Sequence, residues 1–242
     1  MEKETAQKIL TVKNLTVKLG EETVIDNLSF NISRGEHFMI IGPNGSGKTT
    51  LFRALIGVLP YSGEISWAPT SVIGYVPQKL DLERNVPLSL RDFLHSKTGK
   101  MNKEELEKYL DLVNLSPSLL GNSLGTLSGG EFQRALVAFA LIGGTNVLLF
   151  DEPTAGIDEP TEQQIHDTLH KLKHEHKLTI ITISHDLSNV YRHSDRVLCL
   201  NKNQVCLGVP KDVLKPDILT DLYGDEHHKF FTHNHHDKHR NA

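Results

Sequence analysis

Gly42-Pro43-Asn44-Gly45-Ser46-Gly47-Lys48-Thr49-Thr50 crowds three glycines, one lysine and two threonines into a short stretch. Glycines let backbone N–H groups turn inward and approach oxygens that a Cβ would obstruct, so such a segment can cradle a polyphosphate. Lys48 is then placed to pair with β and γ phosphates, and the Thr49 hydroxyl to ligate Mg²⁺, which prefers oxygen donors. A second constellation, Asp151 and Glu152, follows the apolar run Val147-Leu148-Leu149-Phe150. Neighbours on a strand point opposite ways. Asp151 can therefore support Mg²⁺ through a bound water, while Glu152 is free to orient and deprotonate a water attacking phosphorus. The bland alternative for the pair is a polar strand cap leading into the Pro153 turn.

Three further positions fit the same chemistry. Gln78 ends Val72-Ile73-Gly74-Tyr75-Val76-Pro77, a strand broken by proline, where its amide can bridge the metal region and a mobile subdomain. His185 ends the apolar strand Thr179-Ile180-Ile181-Thr182-Ile183-Ser184 and can sense the γ phosphate by hydrogen bonding. Leu127-Ser128-Gly129-Gly130-Glu131 opens a helix whose N-terminus offers another anion seat. Within one chain the 42–50 loop already holds the phosphates, so Ser128 and Gly130 are read as reaching a γ phosphate bound by a second copy. An ordinary serine N-cap accounts for the same residues.

The elements that must position these groups are legible from periodicity. Phe38-Met39-Ile40-Ile41 is a short run of the kind buried on both faces, and it feeds directly into the glycine-rich loop. Leu51, Ala54, Leu55 and Val58 fall at i, i+3, i+4 and i+7, one stripe of a helix starting near Lys48; Phe132, Ala135, Leu136 and Phe139 form a second such stripe. Between Leu88 and Asn146 the pattern is helical. Asn102 with Glu105 reads as a capping box, with Leu106, Tyr109, Leu110 and Val113 as its buried stripe.

In this order and spacing the motifs resemble the ATP-binding cassette family from about Val12 to Tyr223. In its terms, 42–50 match the Walker A loop, Gln78 the Q-loop, 127–131 the signature and 147–152 the Walker B strand. Ala155-Gly156-Ile157-Asp158 is similar to the D-loop, and Ser184-His185-Asp186 to the switch histidine. The resemblance implies an α/β fold, a P-loop NTPase core (RecA-like, mostly parallel sheet) with an N-terminal antiparallel β region and a helical subdomain at about 88–146. It also implies a head-to-tail dimer with two ATP molecules between Walker A of one copy and the signature of the other. One position departs from the pattern. Leu19 stands where the family usually offers an aromatic residue to adenine, which weakens stacking by ~1 kcal/mol and lowers discrimination among bases.

Composition narrows the partners. The net charge is −4 with basic residues scattered, so no nucleic-acid footprint is present. Roughly 80 residues between Walker A and signature leave no room for long coiled-coil arms. No signal peptide is expected before the fold, and the apolar run Leu136 to Ile142 is far short of the ~20 residues a spanning helix needs. Any membrane part is expected in a separate polypeptide. Cys199 and Cys206 flank an expected hairpin and are read as packing residues of a reducing compartment, with no disulfide framework.

Histidine is the compositional outlier, with 14 in all. His166, His170 and His174 recur along one helix and are expected as a solvent-facing stripe beside buried Ile165, Leu169 and Leu172. His227, His228, His233, His235, His236 and His239 lie in a tail, 225–242, beyond a cassette domain at 1–224. That tail fits either a transition-metal ligand set or a solvated low-complexity end. With Arg196 to Lys202 and Leu222-Tyr223-Gly224, it resembles the subfamily that imports zinc or manganese. The resemblance implies an ATPase at the cytoplasmic face of the plasma membrane, held by integral permease subunits and served indirectly by an extracytoplasmic metal-binding protein. A cassette serving iron–sulfur assembly and a metal-sensing nucleotide switch are the alternatives.

Overall fold

The computed structural model describes residues 7–78, 87–151 and 159–224. Glu152, the 155–158 segment and all six tail histidines lie outside them.

Two long strands open the chain, β1 (Lys8–Leu19) and β2 (Glu22–Ser33), paired antiparallel with Leu19 opposite Glu22. Leu10, Val12, Leu15 and Val17 of β1 are all buried, the step from 12 to 15 being taken up by a register shift. β3 (His37–Ile41) leads into α1 (Lys48–Leu55), and β4 (Ser62–Trp67) then pairs with the other edge of β1. The second sheet adds β5 (Ile73–Val76), β6 (Val147–Asp151), β7 (Thr179–Ile183), β8 (Arg196–Asn201) and β9 (Asn203–Gly208), in the order β5-β6-β7-β3-β8-β9. Its first five strands run parallel and only β9 reverses, as an α/β core with a mostly parallel sheet requires.

Burial on both faces explains why β3, β6 and β7 are apolar runs rather than alternations. Phe38, Ile40, Leu149 and Ile181 pack with α1 and the three-stranded sheet, whereas Leu148, Phe150 and Ile180 face the helices on the other side. Full burial of a side chain such as Phe150 contributes roughly 1.5–3 kcal/mol.

Those helices are α2 (Leu90–Thr98), α3 (Lys103–Leu112), α4 (Gly129–Leu141) and α5 (Glu159–His176). Asn102 and Glu105 form the expected reciprocal capping box on α3, and Leu106, Leu110 and Val113 are buried with Tyr109 packed beside them. The remaining helices, α6 (Leu187–His193), α7 (Pro210–Val213) and α8 (Pro216–Tyr223), follow β7 and β9; Val190, Leu214 and Leu222 join Met39, Ile41 and Val197 in a third cluster.

Three expectations are corrected. Val58 is 66% exposed and outside α1, because the helix closes at Leu55 and Gly57 turns the chain at φ +76°. His166 is buried, unlike exposed His170 and His174, because the C-terminal end of α6 covers it and stacks His193 on its ring. Cys199 and Cys206 do flank a hairpin, but they are joined by a disulfide. They are directly opposed residues of β8 and β9 with Cα atoms 4.7 Å apart, which is the separation a cystine spans.

Candidate active site

Parallel strands deliver their C-terminal ends to one edge of the sheet, which is where loops of such a fold build a site. Gly42 follows β3, Gln78 follows β5, Asp151 ends β6 and His185 follows β7. Neighbouring registers place these ends side by side: Val76 lies opposite Phe150, Asp151 opposite Ile183, and Ile40 opposite Ile183. Four residues picked from unconnected stretches of sequence therefore share one rim.

The glycine-rich loop wraps the N-terminus of α1. Gly42 has no room for a side chain, since a Cβ there would run into the Leu200 carbonyl. Lys48, only 6% exposed, donates from Nζ to the Gly42 and Pro43 carbonyls at 2.9 Å each, so the loop curls around its own ammonium. With backbone N–H groups at the helix start and this buried cation, the loop has the chemistry to cradle an anion.

Beside it, Thr49 Oγ1 donates to Asp151 Oδ1 at 3.5 Å. The Tyr75 hydroxyl donates to Asp151 Oδ2 at 3.4 Å. Burial, reinforced by the Asp151 charge, pushes the Tyr75 phenol up to about 12, which keeps it a donor. Asp151 is itself buried, so two hydroxyl donors stabilise its carboxylate. Paired hard oxygens at this spacing suit a small divalent cation. Tyr75 was missed in the sequence; the signal for it is that β5 borders β6, which a chain-order reading does not give.

A cavity of about 520 Å³ is lined by Thr49, Thr50 and Gln78, by Asn44 and Gly45, and by Leu19, Glu22, Val24 and Lys202. Leu19 and Gln78, both singled out from sequence, thus line one cleft. Glu22 and Lys202 were not foreseen. Their ion pair, 3.6 Å long, joins the β1–β2 turn to the β8–β9 turn.

Leu127, Ser128, Gly129, Gly130 and Glu131 do not line that cavity. Ser128 caps α4: its Oγ accepts from the Glu131 N–H at 3.3 Å, and the Glu131 carboxylate accepts from the Ser128 N–H at 2.8 Å. The Ser128 N–H first, and then the Ser128 hydroxyl donating to the same carboxylate at 2.8 Å, hold the Glu131 carboxyl below its ordinary range. Gly130 is buried against α5, where a Cβ would meet Thr161 Cγ2. His185 is exposed on the rim, one residue before the Asp186 cap of α6. Among the described residues, no cluster of His, Cys, Asp or Glu could hold a metal ion, and no helix is long and apolar enough to cross a membrane.

Residues 25–155, more than half of the chain, match the family model described as ABC transporter. The zinc import ATP-binding protein ZnuC of Jannaschia sp. (strain CCS1) is 38% identical over 217 residues, covering 89% of this chain and 88% of that protein. Among solved structures, an inward-facing ABC transporter of metal-chelate type aligns with a TM-score of 0.81 at 26% identity, over 90% of this chain and 89% of that one. The dimeric ATP-binding cassette MJ0796, bound to ADP and Pi after hydrolysis, aligns with a TM-score of 0.71 at 26% identity, over 84% and 99%. With that family model matched over more than half of its length and a relative well above 30% identical over most of both proteins, the chain belongs to the ABC transporter family.

Proposed function

We propose that this chain is the ATP-hydrolysing subunit of a zinc importer. The observation that carries the reading is the meeting of Thr49 with Asp151 beside the Lys48 cradle, since it joins a phosphate seat to oxygen donors for Mg²⁺. Mg²⁺ bound with the triphosphate supplies charge neutralisation there, held by Thr49, Asp151 and Gln78.

The chain's own residues do the rest. The loop 42–50 binds and orients the β and γ phosphates, with Lys48 exchanging carbonyl partners for phosphate oxygens. Glu152 takes a proton from the attacking water, and His185 hydrogen-bonds the γ phosphate. Leu19 and Val24 offer the base an aliphatic wall in place of an aromatic plane. Ser128 and Gly130 complete the site of a second copy in a head-to-tail dimer, Ser128 and Gly129 being exposed at the capped N-terminus of α4. ATP binding then closes the two copies, hydrolysis parts them, and Gln78 with the helices of 90–141 passes the motion to integral permease subunits. Such a subunit works at the cytoplasmic face of the plasma membrane, and an extracytoplasmic protein selects the ion. Zinc is favoured over manganese because the relative from Jannaschia is a zinc import ATP-binding protein.

Zinc accumulation in cells that depend on this chain tests the reading. Wild type restores uptake under zinc limitation and Lys48→Ala does not; equal uptake by both would refute it.

A further inference from the structure

The β8–β9 hairpin is tied to the phosphate loop at three points. Cys199 lies beside Ile41, the residue just before Gly42, in the parallel β3–β8 pairing. The Leu200 carbonyl closes over Gly42 so tightly that no Cβ fits. At the tip, Lys202 holds φ +61° while its N–H donates to the Ser46 carbonyl at 3.3 Å and its carbonyl accepts from the Asp26 N–H at 3.1 Å. Lys202 also lines the cavity. The tip is thus a clamp between the loop and β2.

What holds the clamp in register is unusual. Among the described residues β9 is the edge strand, with β8 as its sole neighbour in the sheet, and the β8–β9 ladder slips between Cys199 and Leu200. Ladder hydrogen bonds are weakest at such an irregularity, and edge strands open locally most readily. The Cys199–Cys206 disulfide sits at that slip and closes the hairpin seven residues apart.

We propose that Cys199 and Cys206 form a thiol-controlled tether of the phosphate loop: the disulfide fixes the Lys202 clamp on Ser46, and its reduction loosens the loop and lowers nucleotide affinity. The inference rests on the reading that the 42–50 loop holds a nucleotide. The reductant is a dithiol. One of its thiolates attacks Cys206 Sγ when the edge strand opens, forming a mixed disulfide and releasing the Cys199 thiolate, which takes a proton. Its second thiolate then attacks its own sulfur of that mixed disulfide, releasing the Cys206 thiolate to be protonated. The protein gains two electrons and two protons, and the dithiol leaves as a cyclic disulfide.

The test compares the full chain oxidised with diamide and reduced with dithiothreitol, with free thiols counted by alkylation. The oxidised chain should show no free thiol, and reduction should weaken MgATP binding about three- to tenfold, the worth of one backbone hydrogen bond. Amide exchange of residues 42–50, measured without nucleotide, should quicken on reduction. Cys206→Ser and, to preserve apolar packing, Cys206→Val should bind like the reduced chain in both buffers. Thiols that alkylate after diamide treatment, or equal exchange in the two states, would overturn the tether. Exchange that quickens on reduction in a chain that binds no MgATP in either state would uphold the mechanical link and refute the nucleotide reading instead.

Discussion

Thr49 and Asp151 stand 102 residues apart in the chain, yet their side-chain oxygens approach to 3.5 Å because β3 and β6 both flank β7 and end at one rim. Neither residue belongs to the apolar clusters that form the core. Asp151→Asn should therefore leave the melting temperature within a few degrees of wild type while Mg²⁺-dependent turnover falls about 10²-fold, the scale of losing one preorganised electrostatic partner. Steady-state phosphate release across a Mg²⁺ titration checks this.

Glu152→Gln separates binding from chemistry. Affinity for MgATP should be retained and hydrolysis slowed by roughly 10²–10⁴, the usual contribution of a positioned general base. Single-turnover phosphate release beside equilibrium binding measures both. Unchanged turnover would remove Glu152 from that role.

Gly130 and Thr161 are in closer contact than any larger pair allows. Gly130→Ala should cost about 1–3 kcal/mol, the range for overpacking. Thr161→Ser deletes the opposing methyl and should recover most of the loss in the double variant. Urea unfolding of the four proteins decides it, and additive losses would place the strain elsewhere.

His166 on α5 and His193 on α6 stack with ring centroids 4.8 Å apart and planes 1° from parallel. Burial, then the charge of His166, pulls His193 down to about 4 from 6.5, and burial lowers His166 as well. Glu162, Asp167 and Asp186 oppose the shifts, while Arg192 and His170 add to that of His193. A depressed histidine means that the unfolded chain binds more protons below pH 6.5, so the stack's stability is complete above that pH and declines as pH falls toward 4. Melting temperatures from pH 7.5 to 4.5 should fall more steeply for wild type than for His193→Phe, which stacks without titrating. Parallel curves would place the acid sensitivity elsewhere.

Local patterns made much of this readable in advance. The 42–50 loop, the α3 capping box and the β3, β6 and β7 runs depend on residues adjacent in sequence, and the structure places each as expected. Misreadings arose where distant segments meet. The His166 ring is covered by an element 27 residues further on, so helical spacing alone placed it in water. The cystine required knowing that β8 and β9 pair with residue 199 opposite 206, which composition does not specify. Tyr75 and Lys202 reach the site only through strand order and a turn.

The central claim is that the Lys48 cradle and the Asp151 rim together hydrolyse ATP. Phosphate release from MgATP by the full chain, set against Lys48→Ala under the same conditions, tests it most directly. The account predicts turnover by the wild-type chain that falls at least about 10²-fold in the variant, with melting temperatures alike. Equal phosphate release by the two proteins would contradict it.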